Sequence, residues 1–578
     1  MTDTWTATTV AISPCGDAAL RVTVDGADTD RVWAAVHRLA GWLNHGVIGP
    51  SVTAVPTYDA VLVEFDPYHT TGELIASHIR AWDTTAGEHE ESAGAVLDVP
   101  VLFGGEAGPD LEWVAEVVGR PVPKVIDLVC AKEHLIRCLG GPAASAMMDG
   151  PDFDVPIPRL ATPRLRVPPG AVSVAGRQAV IGPVAAPSGW RQIGRTPWTS
   201  CEPTATPGPA PTPTPTATPT STPSYRTGRG TGCGSCRSTR RATPTCSAPR
   251  WCPATMADRP ELRVESATAC VVTDLGRVAG PARGLAVNGA LDQFAARAAN
   301  ALVGNAPTAP LIEATGFGVT LRPSHDVLMS VTGAPAEPTV DGRSHPAWAP
   351  LSVRAGEKVR VGISDAGLRA YVAVHGSFDV PRLMGSCAPD SMIGFGTHVT
   401  SGTCLSLFRS HPPLVNRRFG ATVFDFGIPR DVGRVSAVLD AVDGPDAAEF
   451  GPGLQRLYDS RYTVTPRIDH VGLRVAGHVP QRSVTGEVLS RGVPIGAVEA
   501  PAGDELLVLM RGRGITAGYP VLAVLTSRAL DNAAQLRPGQ QIRFRRTTAA
   551  AATAAYLERR QLLDRIALRA RTAFAELR

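Results

Sequence analysis

Ala171-Val172-Ser173-Val174 and Ala179-Val180-Ile181 are two short β-branched runs parted by a Gly-containing turn, and they set the reading of this 578-residue chain. Runs this short, bounded by Gly and Pro and lacking helical periodicity, read as closely spaced strands of a barrel or sandwich. The pattern prevails from Arg159 onward and again from Glu261 to about residue 547. Toward the N-terminus the texture changes. Val99 to Phe103 reads as a strand, Gly104-Gly105 breaks it, Pro109-Asp110 opens a helix to about Val118, and a second helix is expected over Pro123 to Arg137. Before that, strands such as Ala60 to Phe65 alternate with a helical pattern from Arg31 to Leu43, a small α/β unit. The fold class expected is mainly β with an α+β N-terminal part.

Two helices stand out downstream. Leu291, Phe294, Ala295, Ala298, Ala299 and Leu302 recur at helical spacing over Gly289 to Leu302. Residues 549–577 carry Leu557, Leu563, Ile566 and Phe574 among arginines and glutamates, the pattern of a docking or oligomer helix. Residues 203–257 contain no Leu, Ile, Val, Phe or acidic residue. Such a composition buries too little apolar surface to order itself. It reads as a Pro/Thr-rich linker or as out-of-frame translation of GC-rich coding sequence, in either case without chemistry. The expected divisions are 1–94, 95–200, 201–257, 258–547 and 548–578.

A chain this long has room for three or four domains at roughly 150 residues each. Its apolar share is 44%, no uninterrupted apolar run reaches the roughly 18 residues of a membrane span, and Met1-Thr2-Asp3-Thr4-Trp5 does not open a secretory signal. A cytoplasmic address with reduced cysteines follows as the expectation. A formal charge of +3 gives no reason to expect nucleic acid or an anionic membrane as partner. Lysine occurs only at 124, 132 and 358, with no Walker-type phosphate loop and no Met-Lys-Met biotin attachment site. Cys233, Cys236, Cys246 and Cys252 lack the paired close spacing of a zinc ribbon, and no metal is expected.

Residues suited to anion chemistry sit on turns. Arg159, Arg164, Arg166 and Arg195 lie among Pro and Gly, where guanidinium forks suit bidentate capture of carboxylate or phosphate. Surface arginines in an arginine-rich chain would look the same. Asp274 stands three residues before Arg277, and Asp469 beside His470 is read on a strand, where neighbours point to opposite faces and do not act as a pair.

The order of motifs says more than any one of them. Gly16-Asp17-Ala18-Ala19-Leu20, Val55-Pro56-Thr57-Tyr58, Gly104-Gly105-Glu106 with Gly108-Pro109-Asp110-Leu111, Pro158 to Arg164, and Gly189-Trp190 through Gly194-Arg195-Thr196-Pro197 follow one another in the first half. They resemble the allophanate-hydrolase subunit 1 family, also found as the B component of 5-oxoprolinase. Asp274-Leu275-Gly276-Arg277, Gly289-Ala290-Leu291-Asp292, Ala299-Asn300 with Leu302 to Asn305, Thr332-Gly333-Ala334, Asp379-Val380-Pro381 with Gly385-Ser386, Asp469 with Gly472, Arg474 and Gly477, and Gly518-Tyr519-Pro520 follow in the second. These resemble the allophanate-hydrolase subunit 2 family, or the C component of 5-oxoprolinase.

The resemblance implies cyclophilin-like β-barrels in both halves and a complex with a separate third subunit that opens 5-oxoproline to glutamate with ATP. It places Asp274, Asp292 and Asp469 as catalytic carboxylates, and Arg159, Arg164, Arg195, Arg277, Arg474, Ser386 and Tyr519 as groups that hold a small-molecule amide or its anion. Homo-oligomers are compatible with it. Two alternatives stand beside it: a biotin-dependent carboxyltransferase component of a urea-carboxylase-like system, and a non-catalytic regulator that binds a kinase. The sequence also departs from the family. Leu139-Gly140-Gly141-Pro142-Ala143-Ala144-Ser145-Ala146-Met147 replaces a Pro-Gly-Phe loop and reads like a short frame slip restored at Asp149-Gly150. A usual histidine is missing at about Val129, Ser386-Cys387-Ala388-Pro389 replaces Ser-Arg-Ser-Thr, Asp469-His470-Val471-Gly472 replaces Asp-Arg-Met-Gly, and Glu499 stands in place of Gln. The strand that ends the first of these two family units should fall inside residues 203–257, so an incomplete first barrel is expected.

Overall fold

Thr9–Pro14, Ala19–Asp25, Ala60–Phe65 and Val52–Pro56 lie side by side in that order as an antiparallel sheet, and Val22 faces Val61 in its register. In the computed structural model, residues 9–82, 95–197, 224–229 and 259–577 are described, apart from 335, 412–425, 427, 430–434, 485–487 and 502. Helices α1 (Thr29–Asn44) and α2 (Gly72–Arg80) cover one face of the sheet. Asp28 caps α1 by accepting from the amides of Asp30 and Arg31, and Val32, Val36, Leu39 and Leu43 then fall on the face that meets the sheet. Every residue of Ala60–Phe65 is buried. A strand buried on both sides needs a second partner layer, and the second half of the chain provides it.

Strands drawn from 96–195 and 224–229 build the first barrel. Seven strands close it, in the order Gln178–Gly182, Ser145–Asp149, Glu133–Gly140, Ser224–Arg229, Val96–Phe103, Arg191–Arg195 and Ala171–Ala175. Helices α3 (Leu111–Val118) and α4 (Val122–Cys130) pack on it. Two expectations are corrected here. The helix expected to Arg137 stops at Cys130, because Ile136 and Cys138 alternate inward with period 2 as a strand does. The barrel is also complete: Ser224–Arg229, inside the compositionally odd segment, runs parallel to Val96–Val101 and antiparallel to Glu133–Leu135. Cys233, Cys236, Cys246 and Cys252 lie outside the described residues. The departure at 139–147 is an ordered hairpin between two barrel strands.

The second half opens with two six-stranded sheets. Leu262, Val264, Leu321 and Val359 of one meet Val272, Ile312, Val331 and Val372 of the other in a common core. The outer face of the second sheet carries α5 (Gln293–Leu302). This helix begins four residues later than its periodicity predicts. Asn288 and Gly289 sit at φ 54 and 90, outside helical space, and a Cβ on Gly289 would meet the backbone of Leu275 and Gly276 at 2.6 Å. Asp292 then caps the helix through Ala295 N.

A second closed barrel of seven strands spans Val438–Asp443 to Gln541–Arg546, bearing α6 (Gln455–Asp459) and α7 (Ser527–Ala533). The last helix, α8 (Ala549–Leu577), docks within its own chain: Ile566, Ala570 and Phe574 pack with Ala295, Ala299 and Leu302 of α5. No described helix is long and apolar enough to cross a membrane. The Asp469-His470 pair, expected on a strand, forms a turn in which Asp469 Oδ1 accepts from Val471 N at 2.8 Å and Gly472 N at 2.9 Å.

The two halves share a core in which Cys15, Ala19, Val55 and Leu62 pack with Val493, Ala497, Leu509 and Val524. Beside it, Glu499 is buried and its Oε1 has no hydrogen-bond partner. Burial pushes its carboxyl up to about 8, against the opposing pull of Arg491 and Arg513. The folded state therefore holds a proton that the unfolded chain releases at a lower pH, so this group's contribution is full in acid and declines as pH rises toward 8. Glu499→Gln keeps the shape and removes the titration. Thermal melts should show the variant gaining on the parent as pH rises from 5 to 8; parallel melting curves across that range would refute the assignment.

Candidate functional site

Where both halves meet α5, α7 and α8, the chain forms a partly open cavity of about 450 Å³. Its walls are mainly apolar, with Ile48, Leu275, Leu291, Phe294, Met510 and Leu525 among them. That is the size and character of a pocket for a small molecule. The first half contributes Glu64 and the turn Asp66-Pro67-Tyr68-His69 that follows its central strand; the second contributes Leu275-Gly276, Gln293, Arg297, Arg511, Asp531 and the α8 residues Tyr556, Arg559 and Arg560.

The lining charges are organised as pairs. Asp66 accepts from Arg297 at 2.5 Å, from Tyr556 Oη at 3.2 Å and from Tyr68 N at 2.9 Å. Burial works against its charge, yet the His69 hydrogen bond and the Arg297 guanidinium hold its carboxyl well below the usual range. Glu64 Oε1 accepts from Arg513 at 2.5 Å and from Ile495 N at 3.2 Å. Asp531 Oδ2 accepts from Arg559 at 2.6 Å, while its Oδ1 takes the Gln293 amide at 2.9 Å at the start of α5. Burial, helped by the neighbouring charge of Asp292, pushes Asp531 up to about 7, with Arg559 opposing. Burial likewise raises Asp292.

Arg511 is different. Its Nε donates to Asn288 O and its Nη2 to Leu275 O, both at 3.0 Å, and among the described residues no carboxylate lies within ion-pair distance. Backbone oxygens fix the plane of the guanidinium without neutralising it.

The predicted site residues fall into separate places, and none lines the cavity. Asp274, Arg277 and Ser386 form a buried node behind the Leu275-Gly276 wall. Asp274 Oδ1 accepts from Ser386 Oγ at 2.6 Å and Gly276 N at 2.9 Å, and its Oδ2 from Cys387 N at 2.8 Å. Arg277, fully buried, donates to Ala388 O at 2.9 Å and lies 3.6 Å from Asp390. Asp292 caps α5 and accepts from Gln535 at 2.9 Å. Asp469 holds its turn, and the backbone oxygen of neighbouring His470 accepts from Gly512 N at 2.7 Å, next to Arg511 in the chain. Arg159, Arg474 and Tyr519 gather elsewhere: Arg159 donates to Gly518 O at 3.3 Å, and both guanidinium groups favour the ionised form of Tyr519, which burial disfavours. Arg164 forms a two-armed pair with Asp110 at 2.6 and 2.9 Å inside the first half, and Arg195 donates to Pro169 O at 2.9 Å on the surface. Among the described residues no group of acidic, His and Cys side chains could hold a metal ion.

The cavity residues Asp66, Arg297, Arg511 and Asp531 escape a reading of the sequence. Asp66 directly follows the 60–65 strand and Arg297 sits inside the helix expected over 289–302, so the neighbourhood is visible, but pairing between halves leaves no local pattern.

The carboxyltransferase-domain model for subdomains C and D matches residues 10–211, and that for subdomains A and B matches residues 283–546. Over 303 residues the chain is 29% identical to the C component of 5-oxoprolinase from Escherichia coli K12, covering 52% of this chain and 94% of that one. Over 166 residues it is 34% identical to the B component of 5-oxoprolinase from Haemophilus influenzae, covering 29% and 74% respectively. Among solved structures, TTHA0988 superposes with a TM-score of 0.73 at 26% identity, covering 92% of this chain and 100% of that one.

Asp66→Asn should strand Arg297, whose side chain is only 8% exposed, without its counter-ion. Removing one partner of a buried pair costs about 3 kcal/mol or more. The expected result is a clear drop in melting temperature, with Arg297→Met added to Asp66→Asn recovering much of it; additive losses would mean that the pair is not coupled.

Proposed function

Because this chain belongs to the carboxyltransferase-domain family that includes the B and C components of 5-oxoprolinase, with both parts in one polypeptide, we propose that it is the amide-handling component of an ATP-dependent 5-oxoprolinase-type hydrolase acting with a separate third subunit. The observation that carries this reading is the cavity itself: neither half forms it alone, and Leu275-Gly276 of the second half's Asp274 to Arg277 motif line one side while residues 64–69 of the first half line another.

Opening a small cyclic amide needs a compact pocket, a counter-charge that holds an anionic substrate in it, and a proton for the departing ring nitrogen. Arg511 supplies a fixed positive charge. Asp531, pushed up to about 7, exchanges a proton near neutral pH. Asp274 and Asp292 act here as positioning residues, the first holding the Leu275-Gly276 wall through Gly276 N and the second fixing the start of α5.

ATP, which the resemblance implies, does not suit this cavity. A triphosphate would face Glu64, Asp66 and Asp531, while Arg297, Arg513 and Arg559 are already engaged by those carboxylates. The third subunit is the expected place for the nucleotide. None of this chain's three lysines sits in the Met-Lys-Met setting of a biotin attachment site.

The test is reconstitution with the third subunit, ATP and 5-oxoproline, reading glutamate. Turnover is expected, and Asp531→Asn should lower kcat by about a hundredfold or more, as loss of a proton-transfer group does. If no glutamate forms while the chain moves a carboxyl group from a biotin-bearing partner to urea, the carboxyltransferase reading replaces this one. If neither reaction occurs and the chain inhibits a kinase, the regulatory reading does.

A further inference from the structure

Resting on the reading of the cavity as the substrate site, we infer that Arg511 is a carboxylate anchor, and that the site selects a compact amide bearing a single negative charge over a neutral one such as urea. Three carboxylates line the cavity, and each has its own guanidinium: Glu64 has Arg513, Asp66 has Arg297, and Asp531 has Arg559. Arg560, at the α8 edge, lies 3.9 Å from Asp564 and with its Cζ 4.9 Å from the Tyr68 ring centroid. Arg511 is left with two backbone carbonyls and, among the described residues, no anion.

Burial works against its charge, while Asp66 and Glu64 favour it from a distance without bonding to it. A cation held in an apolar enclosure attracts an anion far more strongly than one in water. Its bonding geometry is equally specific. Nε and Nη2 are fixed by Asn288 O and Leu275 O, which leaves Nη1 without an acceptor among the described residues and gives the guanidinium a set orientation in the wall. One uncompensated positive charge matches one carboxylate. It does not match a triphosphate, and a neutral urea would leave it uncompensated.

The neighbours of Arg511 in the chain do not account for its charge, since Gly512 is backbone-bonded to His470 and Arg513 already serves Glu64. The side chain is held by carbonyls from two other turns, each of which borders the cavity or its wall.

The experiment is calorimetric titration of the full-length chain with 5-oxoproline and with 2-pyrrolidinone, the same ring without the carboxylate. The unaltered protein should bind the acid at least roughly thirtyfold more tightly, the scale expected when a buried charge partner is removed. Arg511→Met should weaken 5-oxoproline by a similar factor and erase the preference, and Arg511→Lys should restore part of it; melting curves check that the variants fold. Equal binding of both rings by the unaltered protein, binding of neither, or a folded Arg511→Met that keeps the preference overturns the inference. The two proposals fail separately. Discrimination by the carboxylate without glutamate formation alongside the third subunit retains Arg511 and sinks the hydrolase reading, whereas turnover of 5-oxoproline untouched by Arg511→Met does the reverse.

Discussion

Glu64 and Arg513 come from opposite halves of the chain and are buried against each other, and the geometry of the cavity depends on that contact. Arg513 reaches Glu64 Oε1 at 2.5 Å and Val493 O at 2.8 Å, and Ile495 N adds a bond to the same carboxylate oxygen. A buried ion pair contributes little net stability compared with apolar packing, but it specifies a register, because displacing either partner leaves an uncompensated charge. Here it pins the central strand of the N-terminal sheet to the turn that carries Arg511. The apolar contacts around it, Leu62 on one side and Val493, Leu509 and Ile515 on the other, provide adhesion without direction. The polar pair provides the direction.

The same division holds around the cavity. Charges that meet a counter-charge fix the walls: Asp66 with Arg297 ties the 66–69 turn to α5, Tyr556 extends that tie to α8, and Asp531 with Arg559 ties α7 to α8 while capping α5. Arg511, which lacks one among the described residues, and Asp531, whose carboxyl burial and Asp292 push up to about 7 in spite of Arg559, are the candidates for chemistry. The predicted carboxylates Asp274 and Asp292, each with several donors and neither lining the cavity, belong to the scaffold that shapes the site.

Much of the fold was legible. Strand texture, the helices near residues 31, 111, 293 and 549, and the order of family motifs are local properties, carried by periodicity and by Gly and Pro at fixed places. Two failures have physical causes. The strand at 224–229 lies in a segment with no Leu, Ile, Val or Phe, so composition gave no sign of it, yet its backbone amides and carbonyls pair with strands on both sides. The strand at 133–140 reads partly as helix because apolar runs of that length suit both, and only its inward alternation separates them. The site was less legible than the fold. Motif residues marked the neighbourhood, since Leu275, Gly276 and Gln293 line the cavity beside Asp274 and Asp292, but its charged groups are paired across long separations, and no short window along the sequence contains Asp66 with Arg297 or Glu64 with Arg513.

Carrying both halves in one polypeptide changes what their junction must accomplish. Two separate chains must recover the loss of translational and rotational freedom from their interface, so unsatisfied polar atoms buried there weigh directly against association. Within one chain the second half meets the first at a high effective concentration, and the junction need only select an arrangement. The contacts between these halves have that character. Glu64 Oε2, Arg513 Nη1, Arg21 Nε and Asp17 Oδ2 are buried without hydrogen-bond partners, although each residue bonds or pairs across the junction through another atom. An interface selected for affinity would tend to lose such atoms to apolar replacements. One selected to hold a pocket between two halves retains them, because Glu64 and Arg513, which carry two of the unsatisfied atoms, also orient the strand that leads into Asp66 and the turn bearing Arg511.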